Sequence, residues 1–308
     1  MESDAKPRLA DPNHDGYAIK TWRYLRLSMV AVVFGLAVAV LTERVKAEPA
    51  CFLGSISGYY HTPVRGYFVA VTVALGICLI CLRGSTEAED VLLNIAGMLA
   101  PVVAFVPTEY SVTAPHCSSV PTVFDDTSAN VANNIFALLI VGAIVLLIIA
   151  FTIVSSGATL PTLASSVTAG LLWLIAAALF VTARGFFVET AHFAAAVPMF
   201  ACIAGAAVVN ALDVDDMIKR RRYAAIAGGM LLLPLAIGAV GLLTGSAHTL
   251  IAVETVILIL FAVFWVVQTR DLWDTGLRPD HDARQARQYT KVIKGRRPAS
   301  SGGRAEPR

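Results

Sequence analysis

Residues 134–154 read NIFALLIVGAIVLLIIAFTIV, without a single Asp, Glu, Lys or Arg. An α-helix needs about 20 such residues to cross a hydrocarbon core about 30 Å thick. Lipid offers the backbone no hydrogen-bond partner, so a segment like this must satisfy its own N–H and C=O groups as a helix. The same reading extends outward along the chain. Seven further apolar blocks fall at roughly 25–42, 66–83, 91–107, 164–183, 190–212, 223–244 and 249–268. The alternating apolar-polar segments of a membrane barrel are absent. The expected fold is all-α: a polytopic transmembrane helical bundle of about eight spans. The 91–107 block is short and carries Pro101 and Pro107, and the boundary near Ser155-Ser156-Gly157 is the least sharply drawn.

Composition agrees. Of 308 residues, 56% are hydrophobic and 15% charged, where a soluble domain carries about 25% charged residues. The first block is longer than the roughly 7–15 apolar residues of a signal peptide and follows a long polar lead, so it reads as a retained span. The chain divides into a cytoplasmic N-terminal segment at 1–24, a bundle at 25–268 and a basic tail at 269–308. The tail is rich in Arg, Gly, Pro and Ser, a composition that reads as disordered.

Orientation follows from the basic residues, which concentrate in cytoplasmic connections. With the N-terminus inside, 20 of the 24 Lys and Arg residues lie on the cytoplasmic side. They include Arg26, Arg83, the run Lys219-Arg220-Arg221-Arg222 and ten in the tail. Only Arg44, Lys46, Arg65 and Arg184 lie outside. An even number of spans is required to keep both termini inside. Trp22, Trp265 and Trp273 fall where an inner aromatic belt would sit. These features place the chain in the cell membrane with membrane lipids as partners. The basic tail lacks the aromatic interleaving or fold signature of a nucleic-acid binder, and nothing in the sequence sets an oligomeric state.

Polar residues in or near spans are costly and need reasons. The outer side collects Tyr59, Tyr60, His61, Arg65, Glu109, Tyr110, His116, Asn133, Asn134, Arg184, Glu189, His192, His248 and Glu254. The densest stretch is Ser55-Ile-Ser57-Gly-Tyr59-Tyr60-His61-Thr62-Pro63-Val-Arg65. Its hydroxyls, phenols, imidazole and guanidinium could cradle a phosphate or polar headgroup, with Arg65 as a bidentate anchor. They could equally form an interfacial belt with Arg65 snorkelling. Glu189 and His192, three apart on one helix, could supply two ligands to a metal, with His61 or Glu254 adding another. Zinc suits such donors, as do iron or manganese in a more oxygen-rich site. The competing reading is hydrogen bonding at the interface, with Glu254 paired to Arg65 or Arg184. Ser57, Tyr59, Tyr60, His61, Arg65, Glu189, His192 and Glu254 are thus the candidate ligand-binding residues, and His61, Glu189 and His192 the candidate metal ligands. Convergence of His61, Arg65, Glu189, His192 and Glu254 on one outward cavity is the sharpest expectation.

Cys51 and Cys117 both lie in outer loops, where an oxidising compartment permits a disulfide. Cys78, Cys81 and Cys202 lie in apolar blocks and read as packing residues.

The stretch Ser55 to Arg65, Asn94-Ile-Ala-Gly97, Pro107-Thr108, the Glu-x-x-His at Glu189 and the Phe261 to Trp265 segment resemble those of a bacterial family of multi-pass membrane proteins with no assigned reaction. A more distant similarity is to the seven-helix membrane hydrolases of the alkaline ceramidase type. It implies a serine, an aspartate and histidines around zinc, although the paired His-x-x-x-His of a late span is missing here. There is no Walker-type P-loop, H-E-x-x-H or G-x-S-x-G. Three functions stay open: an outer-leaflet cavity that binds a small ligand or lipid headgroup, a metal-dependent intramembrane lipid hydrolase, and a transporter or accessory subunit. Reporter fusions after Arg222 and at the C-terminus are expected to read cytoplasmic. A periplasmic signal at either point contradicts the even span count.

Overall fold

The computed structural model describes residues 12–46, 53–108, 127–156 and 160–274. Cys51, Cys117, Glu109, Tyr110, His116 and the tail beyond residue 274 lie outside the described residues. The described chain is all-helical apart from its connections. In order come α1 (Pro12–Lys46), a short 3-10 turn (Ser57–His61), α2 (Arg65–Cys81), α3 (Glu87–Phe105) and α4 (Thr127–Ser156), then α5 (Leu160–Thr182), α6 (Arg184–Asp213), α7 (Met217–Thr244) and α8 (Thr249–Asp271). Among the described residues seven helices are long and apolar enough to cross a membrane, and α2 is a shorter apolar helix. At 1.5 Å per residue its 17 residues reach about 26 Å, close to the core thickness. The protein is a membrane-embedded helical bundle.

Burial follows the helical period. In α1 the residues turned inward are Met29, Val33, Leu36 and Val40, while Phe34, Val38 and Leu41 face out. The centre of the bundle is α3 packed on α6 and α2, and its contact faces are small: Ala96, Ala100 and Ala104 of α3, and Ala195, Ala204 and Ala207 of α6. Small side chains let helix backbones approach in lipid, where no hydrophobic force separates helix from solvent. The closest approach is α2 on α3. A Cβ on Gly76 would stand 2.7 Å from the carbonyl oxygen of Gly97, and one on Gly97 would stand 2.6 Å from that of Gly76. The α4–α5 pair docks at the rim through Val131, Ile135, Leu139 and Phe180, with the Trp173 indole donating to Leu139 O at 2.8 Å.

The two ends of the bundle differ. One carries Arg26, Arg83, Lys219 to Arg222 and Arg270 and is called here the basic end; the opposite, or turn end, carries the 3-10 turn. At the basic end a buried polar network joins four helices. Arg26 of α1 donates to Gln268 of α8 at 2.5 Å. Gln268 donates to Glu89 of α3 at 2.5 Å and to Asn210 of α6 at 2.9 Å. Asn210 also donates to Glu89 at 2.8 Å, and the Ser85 amide donates to the other Glu89 oxygen at 2.7 Å. The Arg26 guanidinium lies 3.8 Å from the Trp22 ring centre and 5.0 Å from that of Trp265, a placement stabilised by the ring quadrupole. Trp265 is fully buried. It is a core residue clamped on Arg26, not the belt residue its position in the sequence suggests.

Pro101, Pro198 and Pro234 lie inside α3, α6 and α7. In α7 the buried residues are Tyr223, Ile226, Ala227 and Met230, all before Pro234. Pro234 cannot donate to Met230 O, and beyond it α7 buries nothing further. Gly245 closes the helix at φ 65°, its amide donating to Gly241 O at 2.8 Å. A left-handed position of this kind favours glycine.

Replacing Gly97 with valine is expected to force α2 and α3 apart. The cost should be about 1–3 kcal/mol, as for overpacked cores, read as a lower thermal midpoint in detergent. Valine at Gly170, where an added Cβ meets nothing within 4 Å, should leave the midpoint unchanged.

Candidate functional site

The 3-10 turn is held by its own hydroxyls. Thr62 donates to Tyr59 O at 2.7 Å and accepts from the Val64 amide at 3.2 Å. Its backbone is extended, φ −117° and ψ 178°, as the residue before a proline requires. Tyr59 and Tyr60 are 3% and 1% exposed. They belong to the core and not to a headgroup belt. Arg65 donates to the Tyr60 phenol at 2.7 Å and stacks 4.3 Å from its ring centre. Burial pushes both phenols above their ordinary pKa; Arg65 opposes this at Tyr60, and Arg44 at Tyr59.

Glu254 lies one turn and a half into α8, flanked along its own helix by Leu250, Ile251, Ile257 and Leu258. Its carboxylate accepts from Ser55 Oγ at 2.8 and 3.0 Å, from Ser57 Oγ at 3.1 Å, and from the Ile56 amide. Ser55 and Ser57 are themselves 2.6 Å apart, and Ser57 reaches Thr108 Oγ1 at 2.9 Å. One acid thus clasps a turn almost two hundred residues away and ties it to the end of α3. The sequence pairs this acid with Arg65 or Arg184. The structure instead gives hydroxyls and an amide, none of them charged, because Arg65 is held by Tyr60 and Arg184 lies 5.6 Å over the Phe180 ring.

The two histidines serve the end of α3. That helix stops at Phe105 ahead of Pro107, which leaves carbonyls without helical partners. His192 Nδ1 donates to Val106 O at 2.6 Å, and His61 Nε2 donates to Thr108 O at 3.0 Å. These carbonyls belong to the C-cap residue and to the segment just beyond it, and an imidazole donor at the C-cap suits the negative end of the helix. Glu189 does not join them. Three residues fall about 60° short of a full helical turn, which is enough to leave His192 buried while Glu189 is exposed on the rim. Among the described residues no three His, Cys, Asp or Glu side chains gather where they could hold a metal ion, so the suggested set of His61, Glu189 and His192 is not assembled. The proposed Cys51–Cys117 bridge lies outside the described residues.

Beside the clasp lies a cavity of about 450 Å³ between α2, α3, α6, α7 and α8. Its polar lining is Ser57, Thr72, His192 and Glu254; the rest is apolar, running about two turns deeper to Phe261. Its mouth is formed by Phe193, Val197, Leu231 and Leu235, all exposed on the bundle's flank. Of the five residues expected to converge, His192 and Glu254 share this cavity. His61, Arg65 and Glu189 do not line it, nor do Tyr59 and Tyr60. No protein-family model, curated protein or solved structure matches the chain.

His192→Ala should strand a buried carbonyl. The expected loss is about 1–3 kcal/mol, measured by thermal or denaturant unfolding in detergent. His192→Asn, which can still donate, should recover part of it. Equal losses in the two variants would show that the donor plays no part.

Proposed function

We propose that this membrane protein binds an amphiphile from the bilayer, its apolar chain in the flank cavity and its head at Glu254. The observation that carries this reading is a carboxylate clasped only by neutral donors at the polar end of an otherwise apolar cavity open to the side. Ligand sites are typically of this kind, mostly apolar with a few placed polar groups, and span roughly 300–1,000 Å³. Charge at membrane depth is rarely left without a functional or structural reason. A head that is cationic or rich in hydrogen-bond donors complements Glu254, whereas a phosphate would be repelled by it. Arg65, the anchor that a phosphate would need, is stacked on Tyr60 outside the cavity.

The distribution of basic residues supports a basic end in the cytoplasm. The cavity then opens to the outer leaflet of the cell membrane. The metal-dependent hydrolase is the less favoured reading, because the imidazoles it would enlist are engaged at the end of α3.

Purified protein should be titrated with dodecylamine, dodecanol and dodecanoate, with thermal midpoint as the readout. The amine should stabilise most and the carboxylate least. Glu254→Gln should weaken the amine by about tenfold, equivalent to 1.4 kcal/mol, while sparing dodecanol. Ala196→Trp, which fills the cavity wall, should abolish all three responses. An amine response unchanged in both variants contradicts the proposal.

A further inference from the structure

We infer that the groove between α1 and α8 is a second, separate site, which holds one acyl chain of an anionic phospholipid with its phosphate at Arg44 and His248. The groove encloses about 560 Å³. It opens to the side through Phe34, Leu41 and Ile259, which are 71%, 61% and 56% exposed. The bilayer is what those side chains face. Its walls offer a chain nothing polar to compete with: the one hydroxyl midway along α8, Thr255, donates to Ile251 O at 2.6 Å. The groove runs along α1 from Val30 to Arg44. At 1.5 Å per residue that is about 21 Å, the length of one membrane acyl chain rather than of a compact solute.

The polar groups sit together at the turn end. Arg44, His248 and Tyr59 line the groove there. Glu43, the acid beside Arg44, is paired with Lys46 at 3.2 Å. A guanidinium with an imidazole at headgroup depth suits phosphate, which Arg can bind through two parallel hydrogen bonds. Lipid-binding basic pockets between helices follow the same chemistry.

The groove is distinct from the flank cavity in both wall and charge. Ile56, Leu36 and Leu258 line both spaces, so the turn clasped by Glu254 is the partition between them. The flank cavity presents a carboxylate, and the α1–α8 groove presents a guanidinium and an imidazole. Past the groove, towards the basic end, α1 and α8 are joined by the hydrogen bonds of Arg26 to Gln268 and of Arg23 to the Trp273 carbonyl.

The test is native mass spectrometry of the full-length protein released from nanodiscs of equal phosphatidylglycerol and phosphatidylcholine with identical chains. The wild type should retain one phosphatidylglycerol in preference, by at least about tenfold. Arg44→Gln with His248→Gln should bring that ratio close to one. Ala37→Trp, which narrows the groove from an exposed position on α1, should abolish retention of either lipid. Arg184→Gln, a charge control at the same end of the bundle, should leave the ratio intact. Retention without headgroup preference would overturn the inference. So would a ratio that falls equally with Arg184→Gln, or retention that survives Ala37→Trp. Dodecylamine binding in the flank cavity should persist in Arg44→Gln, which keeps this test independent of the first site.

Discussion

Polar groups inside this bundle are driven to seek partners within the protein, because lipid offers none. That constraint organises the structure at both ends. At the basic end it gathers Arg26, Glu89, Asn210 and Gln268 from four helices into one network. At the turn end it fastens Glu254 to the Ser55–Ser57 turn and two histidines to the frayed carbonyls of α3. Between these polar ends the helices touch through alanine and glycine, where dispersion and close approach replace the hydrophobic effect.

One flank of the bundle carries a cavity. The fully buried residues of α7 end at Met230, ahead of Pro234, although its last turns still meet α8, where a Cβ on Gly241 would run into Thr249. The cavity is lined by apolar side chains apart from the few polar groups near Glu254. A water-filled channel would need more polar lining than this. The proposed amphiphile would need only a lateral entrance, for which Leu231 and Leu235 are exposed, and a polar group for its head, for which Glu254 is placed.

The spans were legible in the sequence because a block such as 134–154 has no other stable form in lipid. Glu254 was also legible, as the lone acid deep in the last block. Its partners were not. Ser55 and Ser57 are almost two hundred residues away, and only the 3-10 turn brings their hydroxyls and the Ile56 amide to a common point. Sequence reasoning paired the acid with cations because charges usually pair, but Arg65 had a nearer aromatic acceptor in Tyr60. The sequence offers the histidines as metal ligands or as hydrogen-bonding partners, and the structure shows the second, to carbonyls at and beyond the end of α3 that a residue pattern does not reveal. The basic-end network was missed for a different reason. Arg26 and Trp265 look like topology markers near span ends, and Asn210 and Gln268 look like single polar interruptions. The placement of Asn210 and Gln268 at matching depth, within about one turn of the ends of α6 and α8, was the available signal.

The central claim is that Glu254 and the Ser55–Ser57 turn act as one unit. A double-mutant cycle of Ser55→Ala and Glu254→Gln on unfolding free energy measures it directly. Contacting polar partners couple by about 0.5–3 kcal/mol, and a coupling in that range is the expected result. Additivity within about 0.5 kcal/mol, the behaviour of independent sites, would contradict the account.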